Sequence, residues 1–106
     1  MEYSIKDHEG YKVILLSGAL TMFDIQELRK EALGYIADGH GVAIDLEKTE
    51  VIDSAGIGMM IKLNEALKEH GNRLVLLQPS QKIHSLLLMS KTNRTFKIVE
   101  GYEDLN

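Results

Sequence analysis

Apolar residues along this chain switch between strand-like and helix-like spacing several times, and this alternation constrains the fold more than any other feature. Two strand patterns meet at the turn His8-Glu9-Gly10, which predicts an opening hairpin. Each of three helical patterns then leads into a further short apolar run. The predicted strands cover about 3–7, 11–17, 41–46, 73–77 and 96–99, and the predicted helices about 25–38, 54–70 and 80–89. The order ββαβαβαβ predicts an α/β fold, with parallel pairing wherever a helix intervenes and an antiparallel edge from the hairpin.

The composition narrows the class of protein further. A length of 106 residues suits one domain, and we predict a single domain over residues 1–106. The net charge of −4 and the scattered basic residues argue against nucleic-acid binding, which needs a concentrated positive face. The sequence has no cysteine, which excludes disulfides and thiol catalysis. The four histidines share no metal-ligand spacing, so we expect neither a metal nor a cofactor.

The same sequence gives no indication of a membrane segment. Every apolar run falls far short of the roughly 20 residues that span a bilayer. The opening residues, Met1-Glu2-Tyr3, lack the basic and apolar regions of a signal peptide. We therefore expect a cytoplasmic protein with no membrane insertion.

The segment from Val51 to Gly58 is the strongest candidate for a functional site. It places Ser54 at a strand-to-helix junction, and function collects at the carboxyl ends of strands in such sheets. A helix start presents unpaired N–H groups and a partial positive charge, which stabilise an anion by about 0.3–1 kcal/mol. A phosphate on Ser54 would lie in that field and would add nearly two negative charges beside Asp53. The segments 18–23 and 78–81 lie at equivalent junctions.

Ser54 has a second interpretation, in which it is only the N-cap of the helix and Asp53 favours the helix dipole. The residues alone leave both interpretations open. Enzymatic interpretations have less support, because Ile61 and Ile52 stand where a dinucleotide fingerprint and a nucleophile elbow need glycine. No base or complete phosphate-binding loop accompanies the serine, so we expect no enzymatic activity.

The first predicted helix carries two candidate start signals. Thr21 followed by Asp24 has the pattern of a capping box, and Asp24 with Glu27 offers a second register. Either arrangement would satisfy backbone N–H groups in the first turn.

The methionines divide into two groups. Met60 and Met89 fit apolar helix faces, and we expect both in the core. Met22 and Phe23 fall in a predicted loop, where apolar residues are less expected, and form a candidate interaction surface. The competing interpretation is that this pair anchors the loop or forms a hydrophobic staple.

The residues from Ile52 to Gly58 resemble the signature Asp-Ser-(Ser/Thr/Ala)-Gly-(Leu/Ile)-Gly of the STAS domain, which is found in bacterial anti-sigma factor antagonists. The resemblance covers almost the whole chain. Matching stretches in the right order are 17–20, after the second strand, 42–46, before the signature, 71–74, at the entry to the next strand, and 96–98, in the closing strand. The resemblance implies a single STAS-like domain, with a mixed, mostly parallel sheet of about five strands, an N-terminal hairpin and three to four helices packed mainly on one side.

The resemblance also implies a switch protein rather than an enzyme. In the family, the serine after the aspartate is phosphorylated by a partner that is both an anti-sigma factor and a GHKL-type serine kinase, and a PP2C-type phosphatase reverses the reaction. The matching residue here is Ser54. The unphosphorylated protein would bind the kinase and release its client sigma factor, itself being a monomer or weak dimer. The expected partner-binding residues are Thr21, Met22, Asp53, Ala55, Gly56, Ile57, Gln78, Pro79 and Ser80.

The sequence departs from the family pattern at two places. Thr21 occupies a position at which many phosphorylated members carry an acid, and this favours an alternative function. The alternative is a constitutive STAS interaction subunit of a transport or signalling assembly, in which Ser54 is only a helix N-cap. Ser90-Lys91-Thr92 replaces a small-Gly-hydrophobic sequence, which predicts an altered loop because a glycine suited to a left-handed helix stop is missing.

Overall fold

The computed structural model describes residues 1–105, and Asn106, the last residue of the predicted domain, lies outside the described residues. Five strands and three helices alternate in the predicted order, and a short 3₁₀ helix follows them. The elements are β1 (Glu2–His8), β2 (Tyr11–Leu20), α1 (Ile25–Ala37), β3 (Gly41–Ile52), α2 (Ser54–Lys68), β4 (Val75–Leu77), α3 (Gln81–Met89), β5 (Lys97–Val99) and the 3₁₀ helix (Tyr102–Asp104).

The strands form one sheet in the order β1-β2-β3-β4-β5. β1 and β2 are antiparallel, whereas β2, β3, β4 and β5 are mutually parallel neighbours. Glu9 and Gly10 connect the hairpin with φ values of 46° and 88°. Positive φ at both central residues is what a type I′ turn requires, and this turn matches the twist of the paired strands. The predicted mixed, mostly parallel sheet with an N-terminal hairpin is confirmed.

The main core lies between one face of the sheet and all three helices. Its buried helix residues are Leu28, Ala32 and Ile36 of α1, Ile57, Met59, Met60, Leu63 and Leu67 of α2, and Ile83 and Leu87 of α3. The opposite face of the sheet carries a smaller cluster, which the C-terminal residues Tyr102 and Leu105 cover. The prediction that the helices pack mainly on one side is therefore confirmed. Within residues 1–105, no helix combines the length and the apolarity that crossing a bilayer requires.

β3 is longer than the sequence predicts. The apolar pattern ends at Leu46, but the strand continues to Ile52 and pairs with β2 over this extension. Thr49 is buried within it, and its Oγ1 donates a hydrogen bond to the Leu16 carbonyl, 3.1 Å away. Exposed charged residues on both sides of Thr49 hide the strand from a search for apolar runs.

Only one of the two methionines expected in the core is buried. Met60 is fully buried, as predicted, but the prediction for Met89 is wrong because 82% of this residue is exposed. Ile83 and Leu87 form the buried face of α3. Met89 lies two residues beyond Leu87, and two residues turn a helix by about 200°, which directs its side chain to the solvent.

The loop after α3 retains a left-handed helix stop without glycine. Lys91 adopts a φ of 61°, and the next backbone N–H, that of Thr92, donates to the Leu87 carbonyl at 2.9 Å. Gly71 occupies the corresponding position after α2 with a φ of 78°. Lys91 thus takes the place of a glycine at this helix stop, and the backbone keeps the left-handed conformation.

Candidate functional site

Two of the three predicted junctions meet at one edge of the sheet. Leu20 ends β2 and is paired with Ile52, which ends β3, so the loop before α1 lies beside the start of α2. The third junction lies elsewhere, because Leu77 at the end of β4 pairs with Asp45. Asp45 precedes Ile52 by seven residues, which corresponds to about 20 Å along the strand. The structure therefore brings the Thr21 and Ser54 segments together and leaves the Gln78 segment apart.

Asp53 connects the two adjacent junctions. Its Oδ1 accepts a hydrogen bond from the Gly56 N–H at 2.9 Å, which makes Asp53 the N-cap of α2. Its Oδ2 accepts from the Met22 N–H at 3.0 Å, and its own N–H donates to the Leu20 carbonyl at 3.1 Å. Because Met22 and Asp53 are 31 residues apart, no local sequence pattern indicates this bond.

Ser54 is the first residue of α2 and is exposed. The interpretation of Ser54 as the N-cap is wrong, because Asp53 occupies that position with extended backbone angles and the capping bond. Within residues 1–105, the Ser54 hydroxyl makes no hydrogen bond. This hydroxyl therefore projects from the positive end of a 15-residue helix without a structural task of its own.

The residues after Ser54 mainly position the helix. Gly56 is buried, and a Cβ atom there would lie 2.8 Å from Ile52 Cγ2 and 3.0 Å from the Leu20 carbonyl oxygen. Glycine thus allows α2 to start in close contact with the ends of β2 and β3. Ile57 is buried in the main core, and Ala55 is half-buried.

The loop before α1 presents two apolar side chains to solvent. Met22 is 62% exposed and Phe23 is 89% exposed. The predicted capping box is not formed: Asp24 occupies the N-cap position of α1, as in the second predicted register, but its side chain makes no capping bond. Instead, Thr21 Oγ1 donates to Asp24 Oδ2 at 3.1 Å, and the Asp24 N–H donates to the Thr21 carbonyl at 2.9 Å.

The Gln78–Ser80 turn has structural tasks of its own. Gln78 adopts a φ of 54°, and its Nε2 lies 3.3 Å from Asp45 Oδ2. Pro79 is buried, and Ser80 Oγ accepts from the Ile83 N–H at 3.2 Å as the N-cap of α3. Their role in partner binding stays a prediction, and only Ser80 of the three is exposed.

A buried carboxylate that the sequence did not indicate lies behind this turn. Asp45 is 6% exposed and accepts a 2.7 Å hydrogen bond from the Tyr102 hydroxyl. Burial, with the hydrogen bond to Asp45 as a further cause, raises the pKa of Tyr102 well above its usual value. This network ties the C-terminal residues to the sheet. Within residues 1–105, no three acidic or histidine side chains are grouped so as to hold a metal ion.

The family model described as "Mlab, STAS domain" matches residues 3–100 of the chain. The chain belongs to the STAS-domain family. Among curated STAS relatives, the anti-sigma-B factor antagonist of Staphylococcus epidermidis is 24% identical over 97 residues, which cover 91% of this chain and 90% of the relative. The signature residues of this STAS domain are those that form the junction at Asp53 and Ser54.

Solved structures have the same fold as this STAS domain. A crystal structure of a Thermotoga maritima protein matches with a TM-score of 0.88 at 17% identity, over 96% of this chain and 89% of that one. The anti-sigma factor antagonist SpoIIAA in its unphosphorylated form matches with a TM-score of 0.78 at 19% identity, over 97% and 92% of the two chains. Bacillus SpoIIAA in its phosphorylated form matches with 0.75 at 20% identity, over 96% and 95%.

Proposed function

We propose that this STAS protein is an anti-sigma factor antagonist whose partner binding is switched by phosphorylation of Ser54. Unphosphorylated, it binds an anti-sigma factor that is also a serine kinase, and the client sigma factor is released. The observation that carries the proposal is the free, exposed hydroxyl at the first position of α2, beside a cap that Asp53 already supplies. The name of the Staphylococcus epidermidis relative and the phosphorylated form of SpoIIAA support it.

The local electrostatics suit a switch that does not unfold the protein. A phosphate on Ser54 adds about 1.5–2 negative charges at neutral pH. The N-terminal field of α2 partly offsets this charge, whereas the neighbouring Asp53 carboxylate repels it. The main change is therefore on the surface, where a partner that fits a neutral serine meets a dianion. A PP2C-type phosphatase would restore the binding form, and the antagonist itself acts as a regulator rather than an enzyme.

The constitutive alternative is not favoured. It assigned Ser54 only a capping task, and Asp53 performs that task. Thr21 replaces the acid common in phosphorylated members, but its side chain is engaged with Asp24, and Ser54 is exposed.

Phosphate mapping tests the proposal directly. The purified protein is incubated with ATP and its cognate anti-sigma factor kinase, and the phosphorylated residue is located by mass spectrometry. We expect one phosphate, on Ser54, which Ser54→Ala abolishes. The matched control is Ser85→Ala, which removes another exposed helical serine and should leave phosphorylation unchanged. Phosphate on a different residue, or none, would contradict the proposal.

A further inference from the structure

The most exposed large apolar residue described in the chain is Phe23, and Met22 precedes it. Neither side chain belongs to the core or to the residues packed against it. The hydrophobic-staple interpretation therefore lacks the packing it requires. Two adjacent apolar side chains in water are characteristic of a surface that another molecule covers.

Hydrogen bonds hold this loop in place. The Met22 N–H is held by Asp53, the Asp24 N–H by the Thr21 carbonyl, and the Thr21 hydroxyl by the Asp24 carboxylate. The backbone that carries Met22 and Phe23 is thus ordered before any partner arrives. A preorganised apolar side chain loses less conformational entropy on binding, which is the property of an interface anchor.

The position of the loop indicates which partner covers it. Met22 is hydrogen-bonded to the residue that directly precedes Ser54. A kinase that reaches the Ser54 hydroxyl therefore also comes close to the loop that carries Met22 and Phe23. The carboxylates at this corner, those of Asp24 and Asp53, already accept hydrogen bonds from Thr21 and Met22, so Met22 and Phe23 are its exposed apolar part.

We infer that Met22 and Phe23 form an apolar anchor that inserts into a pocket on the same kinase that phosphorylates Ser54, with Asp53 setting the distance between anchor and serine. This inference rests on the proposed function. It also gives the pair a role in specificity, because a kinase without an apolar pocket at this contact would have to desolvate polar groups against Met22 and Phe23.

Affinity measurements on surface variants test the inference. Isothermal titration calorimetry measures the Kd for the purified kinase, and steady-state assays measure phosphorylation of Ser54. Phe23→Ser should raise the Kd by about tenfold or more, and Met22→Ser by less, since aromatic anchors dominate interfaces. Both variants should keep the wild-type unfolding midpoint because neither side chain packs in the core. Leu33→Ser, at an exposed apolar residue well along α1, is the matched control and should change the Kd less than about twofold.

The outcomes separate this inference from the proposed function. If the wild-type protein is phosphorylated on Ser54 while Phe23→Ser and Met22→Ser bind normally, the anchor is wrong and the switch remains. If Met89→Ser weakens binding while Phe23→Ser does not, the partner docks along α3 and the anchor is again wrong. If the kinase neither binds nor phosphorylates the wild-type protein, both the anchor and the switch are contradicted.

Discussion

Ser54 and Ser80 both begin helices that follow strands, yet their hydroxyl groups have different tasks. Ser80 is the N-cap of α3, and its Oγ accepts the Ile83 N–H. Ser54 lies one position further into its helix, because the preceding Asp53 supplies the cap. The sequence could not distinguish these cases, since serine and aspartate are both favoured caps and occur side by side at α2.

Alanine substitutions at the two caps and at Ser54 measure how much each side chain contributes to stability. Asp53→Ala should lower the free energy of unfolding by about 1–2 kcal/mol, because it removes the cap of α2 and the acceptor for Met22. Ser80→Ala should cost about 1 kcal/mol, whereas Ser54→Ala should stay within about 0.5 kcal/mol. Urea unfolding followed by circular dichroism gives all three values. A cost for Ser54→Ala equal to that for Asp53→Ala would contradict the assignment of the cap.

The two glycines of the signature also differ at the residue scale. Gly56→Ala forces a Cβ atom against Ile52 and the Leu20 carbonyl, so we expect a loss of about 1–3 kcal/mol. A Cβ atom at Gly58 would meet nothing within 4 Å, so Gly58→Ala should stabilise α2 by about 0.5–1 kcal/mol. Thermal unfolding of the two variants provides the comparison. A destabilised Gly58→Ala protein, or an unaffected Gly56→Ala protein, would show that the described packing is incorrect.

At the scale of elements, local patterns predicted the hairpin, all three helices and the order of strands and helices along the chain. In these elements the apolar residues recur with a clear period, and the elements end at glycine or polar residues. The second half of β3 was missed because it lacks an apolar run and is held by pairing with β2, which is distant in sequence, and by the bond from Thr49 to the Leu16 carbonyl. The exposure of Met89 was missed for a different reason: its apolar character suggested burial, although it lies two residues beyond Leu87 and so on the opposite side of α3.

The two left-handed helix stops allow a test at this scale. Lys91→Gly should stabilise the protein by about 0.5–1 kcal/mol, because lysine at a φ of 61° is strained and glycine is not. Gly71→Ala should have the opposite sign and cost about 1 kcal/mol, since a Cβ atom there meets no neighbour and only the conformation is strained. Chemical denaturation measures both. If both substitutions stabilised the protein, or both destabilised it, this account of the left-handed helix stops would be ruled out.

At the scale of the whole molecule, the parallel crossovers place the starts of α1 and α2 at one edge of the sheet. Ser54, Asp53 and the Met22-Phe23 pair therefore share one surface, although they come from separate parts of the sequence. The core lies beneath this surface and is complete without Ser54. Phosphorylation would take the net charge from −4 to about −6 and would leave the packing of the fold unchanged.

The affinity of the anti-sigma factor kinase for the two forms of the protein tests the central proposal most directly. Calorimetric titration with unphosphorylated protein and with protein phosphorylated on Ser54 gives both values, and circular dichroism confirms that the two forms have the same fold. We expect the phosphate to weaken binding at least about tenfold, because it sets a dianion beside Asp53 at the contact surface. Equal affinities for the two natively folded forms would contradict Ser54 as the switch.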